Sequence, residues 1–493
     1  MLAPPRLRCL DRPVAVSLEQ LVPADHFYRH LDATLDLSVV RVWVADRYAS
    51  SGRPSIDPVI FFKLQLIMFF EGIRSERQLV KTASLNLAHR WYLGYHLDEP
   101  LPNHSSLTRI RQRLGLAVFR RFFAYVVDRC DVAGLIGGQE VLADATKVPG
   151  NADLDSLVPR LKEVVDEHLV ELIGKQDEPA EEGRWDVLEH CKLPPDRPLS
   201  PGYERLSHRK ISLTDPDATP MSLSDGRKVL GYQAHYLVDG GKARIILHCL
   251  VTPGDVMENQ PFLDQFRRTC FRRKLSPKRV IADTAYGTVA NLQAIEGAGI
   301  RMYTPLPDWE PSSPYFRSAQ FTYDGEHDVY HCPNGEILPF RHTDTKNERK
   351  LYRARASICK ACPLRPQGTA NRQGRVIHRS FHADLLEHVR GYQGAPAFTK
   401  ALRKCQVWVE PLFAEAKQWH GLRRFRLRAI RNGNMEGVLI ATGQNLKRYL
   451  AARGWGKRWG PTGCLTSRSS SHVGLLTARK LGPCLTTAAA CTG

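Results

Sequence analysis

Two aspartates of this sequence each follow a short run of apolar residues. Asp144 follows Val-Leu-Ala and Asp283 follows Val-Ile-Ala, so each is predicted to lie at the carboxyl end of a buried strand. Open α/β sheets bind ligands at that end, and carboxylates there can bind Mg²⁺, which prefers oxygen ligands. Two such ions activate the attacking oxygen and stabilise the leaving oxygen in phosphoryl transfer. One such aspartate alone would be weak support, because turns and helix caps use aspartate constantly.

Glu410 is the third candidate carboxylate. Its surroundings have apolar residues at helical spacing, namely Val409, Phe413 and Ala416. On a helix, Glu410 and Lys417 share one face, whereas Glu415 lies about 140° away from Glu410 and cannot face the same site. Because a proline disfavours helix at the preceding residue, Pro411 predicts that Glu410 is a first-turn or capping residue. A surface glutamate without a role is the alternative.

The charge of the chain favours an anionic partner over a small neutral ligand. The 493 residues include 70 Lys and Arg against 51 Asp and Glu, a formal charge of +19, and nucleic acid is the first candidate. Residues 401–493 alone hold 16 Lys and Arg against three acids. The longest apolar run, 58–70, is shorter than the roughly 20 residues of a membrane span and predicts a buried helix, with no membrane partner.

The segment after the Glu410 helix alternates arginine with apolar residues. Its arginines are Arg423, Arg424, Arg426 and Arg428. Such a strip can follow a phosphate backbone while its apolar residues anchor it. A solvated basic face is the alternative, and the neighbouring candidate metal site favours DNA contact.

A second basic element lies nearer the amino terminus. Ser105 or Ser106 is predicted to cap a short amphipathic helix that carries Arg109, Arg111 and Arg113. A DNA-reading helix is one interpretation. The sequence favours a solvated helix face, because helix-turn-helix patterns are easily mimicked.

Twelve cysteines are spread along the chain, and no signal peptide precedes them, which argues against a disulfide framework and for a reducing cytoplasm. Cys332, Cys359 and Cys362 have a spacing compatible with structural Zn²⁺. Three thiolates do not complete a tetrahedron, and His331 or His378 would have to supply the fourth ligand. Three free thiols are the alternative.

The elements that must position these residues form an ordered pattern. The first 130 or so residues are predicted to be mostly helical. Strands are then predicted at 140–146, 232–239, 243–252, 279–282 and 299–304, and helices at 289–297 and from about Phe398 onward. The predicted class is therefore α/β, preceded by a helical region. Residues 305–390 are polar and rich in Gly, Pro and Cys, and disorder is predicted beyond about Trp459.

Several motifs resemble those of insertion-sequence transposases. The segments 52–58, 72–79 and 101–107 resemble the N-terminal InsH-type domain of that family. The surroundings of Asp144, Asp283 and Glu410, with 445–448 downstream, are similar to its DDE catalytic domain. The resemblance covers roughly residues 10–450. It implies three regions: a helical domain at 1–135, a catalytic domain at 136–450 with insertions near 153–225 and 305–395, and a basic, disordered tail at 451–493.

The resemblance also implies a fold, a site and a reaction. The fold is ribonuclease-H-like, and Asp144, Asp283 and Glu410 hold Mg²⁺ or Mn²⁺, while Lys417 and Arg403 contact phosphate. Relatives often have a fourth cysteine where this chain has Gly368. The reaction is attack by activated water at the element ends, then attack by the freed 3′-hydroxyl on target DNA. A cytoplasmic, nucleoid-associated homo-oligomer on DNA is expected. The alternative functions are a degenerate, non-catalytic DNA-binding repressor and a metal-dependent nuclease without strand joining.

Overall fold

A computed structural model describes residues 14–48, 55–159, 210–306, 314–459 and 465–467. The motif residues 52–54, most of the first predicted insertion and nearly all of the predicted disordered tail lie outside the described residues. The helices are α1 Leu18–Leu21, α2 Phe27–Thr34, α3 Val39–Val44, α4 Pro58–Phe70, α5 Glu76–Leu85, α6 Leu87–Leu93, α7 His104–Val132, α8 Phe262–Arg273, α9 Val289–Glu296, α10 Ala356–Ala361, α11 Arg365–Gly368, α12 Ala383–Gln393, α13 Pro396–Trp419 and α14 Ile430–Ala452. The strands are β1 Glu140–Pro149, β2 Leu157–Pro159, β3 Lys210–Ser212, β4 Thr219–Ser222, β5 Lys228–Asp239, β6 Ile246–Pro253, β7 Arg279–Ala282, β8 Arg301–Tyr303, β9 Thr322–Asp324, β10 Val329–His331, β11 Ile337–Asp344, β12 Arg349–Arg353, β13 Val376–Ser380, β14 Lys457–Trp459 and β15 Leu465–Ser467.

The described residues before β1 are helical, as the sequence predicts. Helix α4 begins at Pro58 behind the capping side chain of Asp57, and its apolar residues are buried on all sides, which confirms the predicted buried helix. Helix α7 starts earlier than predicted. Its cap is Asn103, whose side chain accepts a hydrogen bond from the Ser105 amide at 3.0 Å. The prediction of a serine cap was wrong because Ser105 already lies in the first turn.

Helix α7 contains a kink at Gly115, whose φ of 65° suits glycine and interrupts the helical hydrogen bonds. The Arg47 guanidinium donates to the Arg113 carbonyl at 3.3 Å and also to that of Leu114. Both carbonyls lie just before the kink. Arg47 therefore ties α7 to the short 3₁₀ turn that follows α3.

The main sheet is mixed, which confirms the predicted α/β class. Its strands lie in the order β6-β5-β1-β7-β8, with β4 also paired to β5. Strands β1, β7 and β8 are mutually parallel, whereas β5 is antiparallel to both β1 and β6. The carboxyl ends of β1, β6, β7 and β8 therefore all point to one edge of the sheet. That edge is where an α/β sheet binds ligands.

Helix α14 covers the outer edge of β6. The Asn434 amide bonds both the N–H and the carbonyl of Val251, at 2.9 and 2.8 Å, and the Asn445 amide bonds both groups of Ile246, each at 2.8 Å. Eleven helical residues and five strand residues both span about 16 Å, so the two asparagines match the spacing of the strand. The buried strand edge is thus paired without another strand.

We expect Asn434→Ala and Asn445→Ala each to lower the free energy of unfolding by about 1–3 kcal/mol, since each leaves a buried N–H and a buried carbonyl unpaired. Urea unfolding measured by circular dichroism would test this. Asn432→Ala is the matched control, because the Asn432 side chain lies on the same helix and forms an exposed hydrogen bond to the Arg428 carbonyl. Equal losses in all three variants would contradict the edge-pairing role.

The predicted insertion at 305–395 contains structure of its own. Strands β9 to β13 form a separate antiparallel sheet in the order β13-β12-β11-β10-β9. Its small core is formed by Phe321, Tyr330, Leu338, Tyr352 and Ile377. The sequence did not predict these strands, because most side chains of the segment face solvent and its composition is polar. Strands β2–β3 and β14–β15 form two further antiparallel pairs.

Among the residues that the structure describes, no helix is both long enough and apolar enough to cross a bilayer. The helices before β1 share one continuous hydrophobic core with the main sheet and with α13 and α14.

Candidate active site

Asp144 and Asp283 lie side by side on the main sheet. The prediction that each ends a strand holds for Asp283, which follows β7, and was wrong for Asp144, because β1 continues to Pro149. Strands β1 and β7 are parallel, with Ala143 opposite Ala282, so the next residue on each strand is an aspartate. Neighbouring strands are about 4.8 Å apart, which brings the two carboxyls onto adjacent positions. The Asp144 carboxylate accepts a hydrogen bond from the Ala145 amide at 2.8 Å, and that of Asp283 accepts one from Ala285 at 3.0 Å.

Glu410 reaches the same edge on helix α13, which packs across β1 and β7. Lys404 pairs with Glu140 at the start of β1, and the Lys417 ammonium donates to the Thr146 hydroxyl further along at 2.6 Å. Helix and strand therefore run side by side in one direction, each covering about 20 Å between these two contacts. Glu410, about 9 Å beyond Lys404, falls near the level of Ala143, one residue before Asp144.

The prediction that Pro411 places Glu410 at a helix end was wrong. Helix α13 continues through Pro411, and Glu410 lies in its interior. A proline leaves the carbonyl four residues earlier without its amide partner. That carbonyl belongs to Val407 and accepts a hydrogen bond from the Arg244 guanidinium at 3.4 Å, so a residue distant in sequence compensates for the lost bond.

Glu415 faces away from Glu410, as the helical geometry predicts. Its carboxylate accepts a hydrogen bond from the Gln444 amide at 3.2 Å and from Arg448 at 3.4 Å, and it also pairs with Lys447. Although burial opposes it, the hydrogen bond from His420 and the charges of Arg448 and Lys447 hold the pKa of Glu415 below its ordinary value. Glu415 therefore joins α13 to α14 and is not part of the candidate site.

The charges at the sheet edge act on one another. Burial raises the pKa of Asp144 to about 7, and the negative charges of Asp283, Glu258 and Glu410 add to that rise. Burial of the carboxyl group also raises the pKa of Asp283, although the residue as a whole is exposed. Three of these four acids are the residues that the sequence had singled out. The structure brings them within electrostatic range of each other.

Two members of this cluster were missed in the sequence. Glu258 lies in the loop after β6, and Cys405 lies on α13 with its thiol pKa raised to about 12 by burial and by the three neighbouring acids. Glu258 is not preceded directly by an apolar run, as Asp144 and Asp283 are. The only available signal was its position five residues after the end of an apolar strand, and that signal is weak.

Lys417 and Arg403 lie on opposite sides of Glu410 along α13. Burial lowers the pKa of Lys417, while the negative charge of Asp144 opposes that effect. Lys417 therefore contributes a positive charge beside the acids. Arg403 is exposed, and the structure gives it no hydrogen bond or ion pair to a described residue. Since it lies seven residues before Glu410, it shares that face of the helix.

The acids have the chemistry of a Mg²⁺ site. All of them offer oxygen ligands, and a bound cation would offset the burial and the repulsion that together raise the pKa of Asp144. Within the described ranges, no three Asp, Glu, His or Cys side chains converge as a ligand set for one ion. The carboxylates therefore suit the ion by type and proximity without forming a closed coordination shell.

The strip 423–428 lies against the end of β1. The Phe425 amide donates to the Pro149 carbonyl at 2.9 Å, and Arg424 donates to the Gly150 carbonyl at 3.0 Å. The buried Phe425 ring packs edge-to-face on Tyr232, at 5.7 Å between ring centroids. The predicted apolar anchor is therefore present, and it fixes the strip beside the strand that carries Asp144.

Within the strip, Arg423, Arg424 and Arg428 are exposed. Arg426 differs, because nitrogens of its guanidinium lie 3.4 Å from a carboxylate oxygen of Glu76 and 3.8 Å from one of Glu436. Its charge is therefore paired by two carboxylates of the protein, and its contact with DNA stays a prediction.

The basic face predicted on α7 is divided in the same way. Arg109 is exposed, and Arg113 is exposed while stacking on the Tyr48 ring at 5.1 Å. Arg111 is only 4% exposed and forms an ion pair with Glu76. The prediction of Arg111 as a DNA contact was wrong, because its charge is used inside the protein.

The three clustered cysteines are free thiols of intermediate exposure. Cys332 and Cys359 pack against the small core of the β9–β13 sheet. Neither these cysteines with Cys362 nor the nearby histidines form a metal-ligating group among the described residues. The structure thus provides no ligand set for the predicted Zn²⁺.

Comparison with known proteins gives two family matches. Residues 16–113 match the family described as "Transposase domain (DUF772)", and residues 331–450 match the family described as "Transposase DDE domain". The second match includes Glu410 and Lys417, and the aspartates lie between the two matched regions. No curated protein matches the sequence.

Two solved structures show a distant similarity. The cryo-EM structure of the piggyBac transposase synaptic complex with hairpin DNA has 9% identity and a TM-score of 0.30, over 84% of this chain and 72% of that one. The Mos1 transposase paired-end complex with left transposon end has 10% identity and a TM-score of 0.16, over 52% of this chain and 61% of that one. The two family matches, a transposase domain at 16–113 and a transposase DDE domain at 331–450, are consistent with a DDE-type transposase that has an N-terminal domain.

Proposed function

We propose that this protein cleaves DNA at the ends of an insertion sequence and joins those ends to target DNA. The observation that carries the proposal is the meeting of three acids at one sheet edge. Asp144 lies on β1, Asp283 directly follows the parallel neighbouring strand β7, and Glu410 lies on α13, which packs across both strands. Acids on a first strand, on a later strand and on a helix are the arrangement expected of a ribonuclease-H-like core, which we propose for residues 136–450.

Asp144, Asp283 and Glu410 would hold the divalent ion. When bound, Mg²⁺ or Mn²⁺ would lower the pKa of the attacking hydroxyl group and neutralise the charge that develops on the phosphate. The protein's own contribution is to fix the carboxylates. Asp144 is held by the ladder of β1, and Glu410 is held by a helix bound to that strand at two points. Such rigidity is what phosphoryl transfer requires of a site.

The basic residues beside the acids suit a DNA backbone. Lys417 lies between Thr146 and the acids, and Arg423, Arg424 and Arg428 continue the positive surface along the end of β1. We propose that these four residues, with Arg403, bind phosphates next to the scissile bond. Arg109 and Arg113 would extend DNA contact to the region before residue 135. Because an element has two ends, we expect a homo-oligomer on DNA.

The decisive test is cleavage of a labelled duplex that carries the element's terminal repeat. We expect Mg²⁺- or Mn²⁺-dependent nicking by the wild type and a loss of at least about 1,000-fold in Asp283→Asn, because the neutral amide removes an anionic ligand from a charge-stabilised reaction. Band-shift measurements should show unchanged DNA binding in the variant.

The control variant is Asp324→Asn in the small β9–β13 sheet, which should cleave as the wild type does. Binding without cleavage by the wild type, with either metal, would overturn the proposed activity in favour of a DNA-binding repressor. Cleavage without joining to target DNA would reduce the activity to that of a nuclease.

A further inference from the structure

The loop between β6 and α8 brings a fourth carboxylate to the edge of the sheet where Asp144 and Asp283 lie. Strand β6 has the same direction as β1 and ends at Pro253, level with Val148 through the shared register of β5. Glu258 follows that strand end by five residues. It therefore approaches the aspartates from the β6 side, whereas Glu410 approaches from α13.

This loop is fixed at both ends. The Gly254 amide donates to the Gly231 carbonyl at 2.9 Å, and the Met257 amide donates to the Gln260 side chain at 3.1 Å. Beyond the loop, the Phe262 ring packs edge-to-face on Tyr286 at 5.4 Å between centroids. Tyr286 belongs to the turn that starts at Asp283. These contacts hold Glu258 in place relative to Asp283.

The Glu258 carboxylate is half-buried and forms no hydrogen bond or ion pair with a described residue. Burial and the negative charge of Asp283 raise the pKa of Glu258, and the positive charge of Lys147 lowers it. The Lys147 ammonium donates a hydrogen bond to the Ser222 carbonyl at 2.7 Å. The loop that carries Glu258 is held against the turn that starts at Asp283, through Phe262 and Tyr286. Its carboxylate, which has no partner among the described residues, is therefore available to a ligand of the site.

Building on the proposed function, we propose that Glu258 is a fourth acidic residue of the active site and helps to hold the divalent ion on the Asp283 side. It would act as a direct ligand or through a water molecule of the ion, since Mg²⁺ usually keeps several waters. Three acids on strands and loops would then face the single acid on α13. The same carboxylate also adds negative charge that must be neutralised before DNA phosphate can approach, so metal binding would precede DNA cleavage.

The test measures metal binding directly, without relying on catalysis. Free Mn²⁺ is titrated by electron paramagnetic resonance against the full-length protein in the absence of DNA. We expect Glu258→Gln to weaken Mn²⁺ binding about tenfold, Glu258→Asp to recover part of that loss, and Asp144→Asn to remove most of the binding. Glu326→Gln, at an exposed turn of the small sheet, should bind as the wild type does. Thermal unfolding of each variant verifies the fold.

A second measurement uses the Mg²⁺ dependence of cleavage. Glu258→Gln should need about tenfold more Mg²⁺ for half-maximal cleavage and should regain much of its rate at saturating Mg²⁺, which a purely structural role would not produce. Wild-type Mn²⁺ affinity in Glu258→Gln, together with loss in Asp144→Asn, would overturn the role of Glu258 and leave the proposed function intact. Absence of Mn²⁺ binding in the wild type would overturn both.

Discussion

Asp144→Asn is expected to abolish DNA cleavage and at the same time to make the metal-free protein more stable. The loss of activity, at least about 1,000-fold, follows from removing the charge of the most enclosed acid in a reaction that depends on charge neutralisation. The gain in stability follows from the same charge. Burial and the neighbouring Asp283, Glu258 and Glu410 oppose ionisation of Asp144 in the folded protein.

The sign of the pH dependence follows from the direction of the shift. The folded protein holds the Asp144 proton up to a pKa of about 7, whereas an ordinary aspartate has 3.8. Between these pH values the folded state binds more protons than the unfolded state, so stability falls as pH rises. The full difference corresponds to at most roughly 4 kcal/mol. Because water and the Lys417 charge reach this partly exposed group, we expect a fall of about 1–2 kcal/mol.

Urea unfolding of wild type and Asp144→Asn between pH 4 and pH 8 would measure this. The wild type should lose stability over that range, and the variant should lose less. Addition of Mg²⁺ at pH 8 should stabilise the wild type and have little effect on the variant. Asp324→Asn, in the separate small sheet, is the control for the substitution itself. Parallel pH profiles of the wild type and Asp144→Asn would contradict the electrostatic account of the site.

The acids on the strands were predictable because a local pattern marks them. An apolar run followed by an aspartate predicts a strand and its end whatever its partners are. Asp283 fits this pattern, whereas Asp144 lies inside β1, which continues to Pro149. Their adjacency depends on the pairing of β1 with β7, which are separated by more than 120 residues. No local pattern encodes that register. The local sequence pattern therefore identifies Asp144 and Asp283 as candidates, and their adjacency follows from the pairing of the two strands.

The errors share one cause, which is compensation by residues distant in sequence. Pro411 was expected to place Glu410 in the first turn or at the cap of a helix. The helix instead continues through Pro411, and the Arg244 guanidinium donates to the Val407 carbonyl that lacks its amide partner. Glu258 carries no local signature, and it reaches the site only because β6 runs in the direction of β1. Arg111 looked like a surface cation because its partner, Glu76, belongs to another helix.

Arg111→Met is expected to destabilise the protein by about 3–5 kcal/mol, because removing one partner of a buried ion pair leaves the other charge unpaired. Glu76 is 8% exposed, and Thr108 donates to its carboxylate at 3.2 Å. Burial and the positive charge of Arg426 lower the pKa of Arg111 to about 10, so Arg111 is still charged at neutral pH. Without Arg111, the single guanidinium of Arg426 would face both Glu76 and Glu436.

Urea unfolding and salt-dependent DNA binding together distinguish this role from the DNA contact that the sequence suggested. Arg109→Met, on the exposed face of the same helix, should change stability by less than about 0.5 kcal/mol. The double variant Glu76→Gln with Arg111→Met should recover much of the loss, since the uncompensated charge is gone. If Arg111→Met instead kept its stability and weakened DNA binding with a smaller salt dependence, Arg111 would be a phosphate contact. The cluster joins α5 and α7 to the strip beside the acids, so its loss should also loosen Arg423 and Arg424 and reduce cleavage more than the Arg109 variant does.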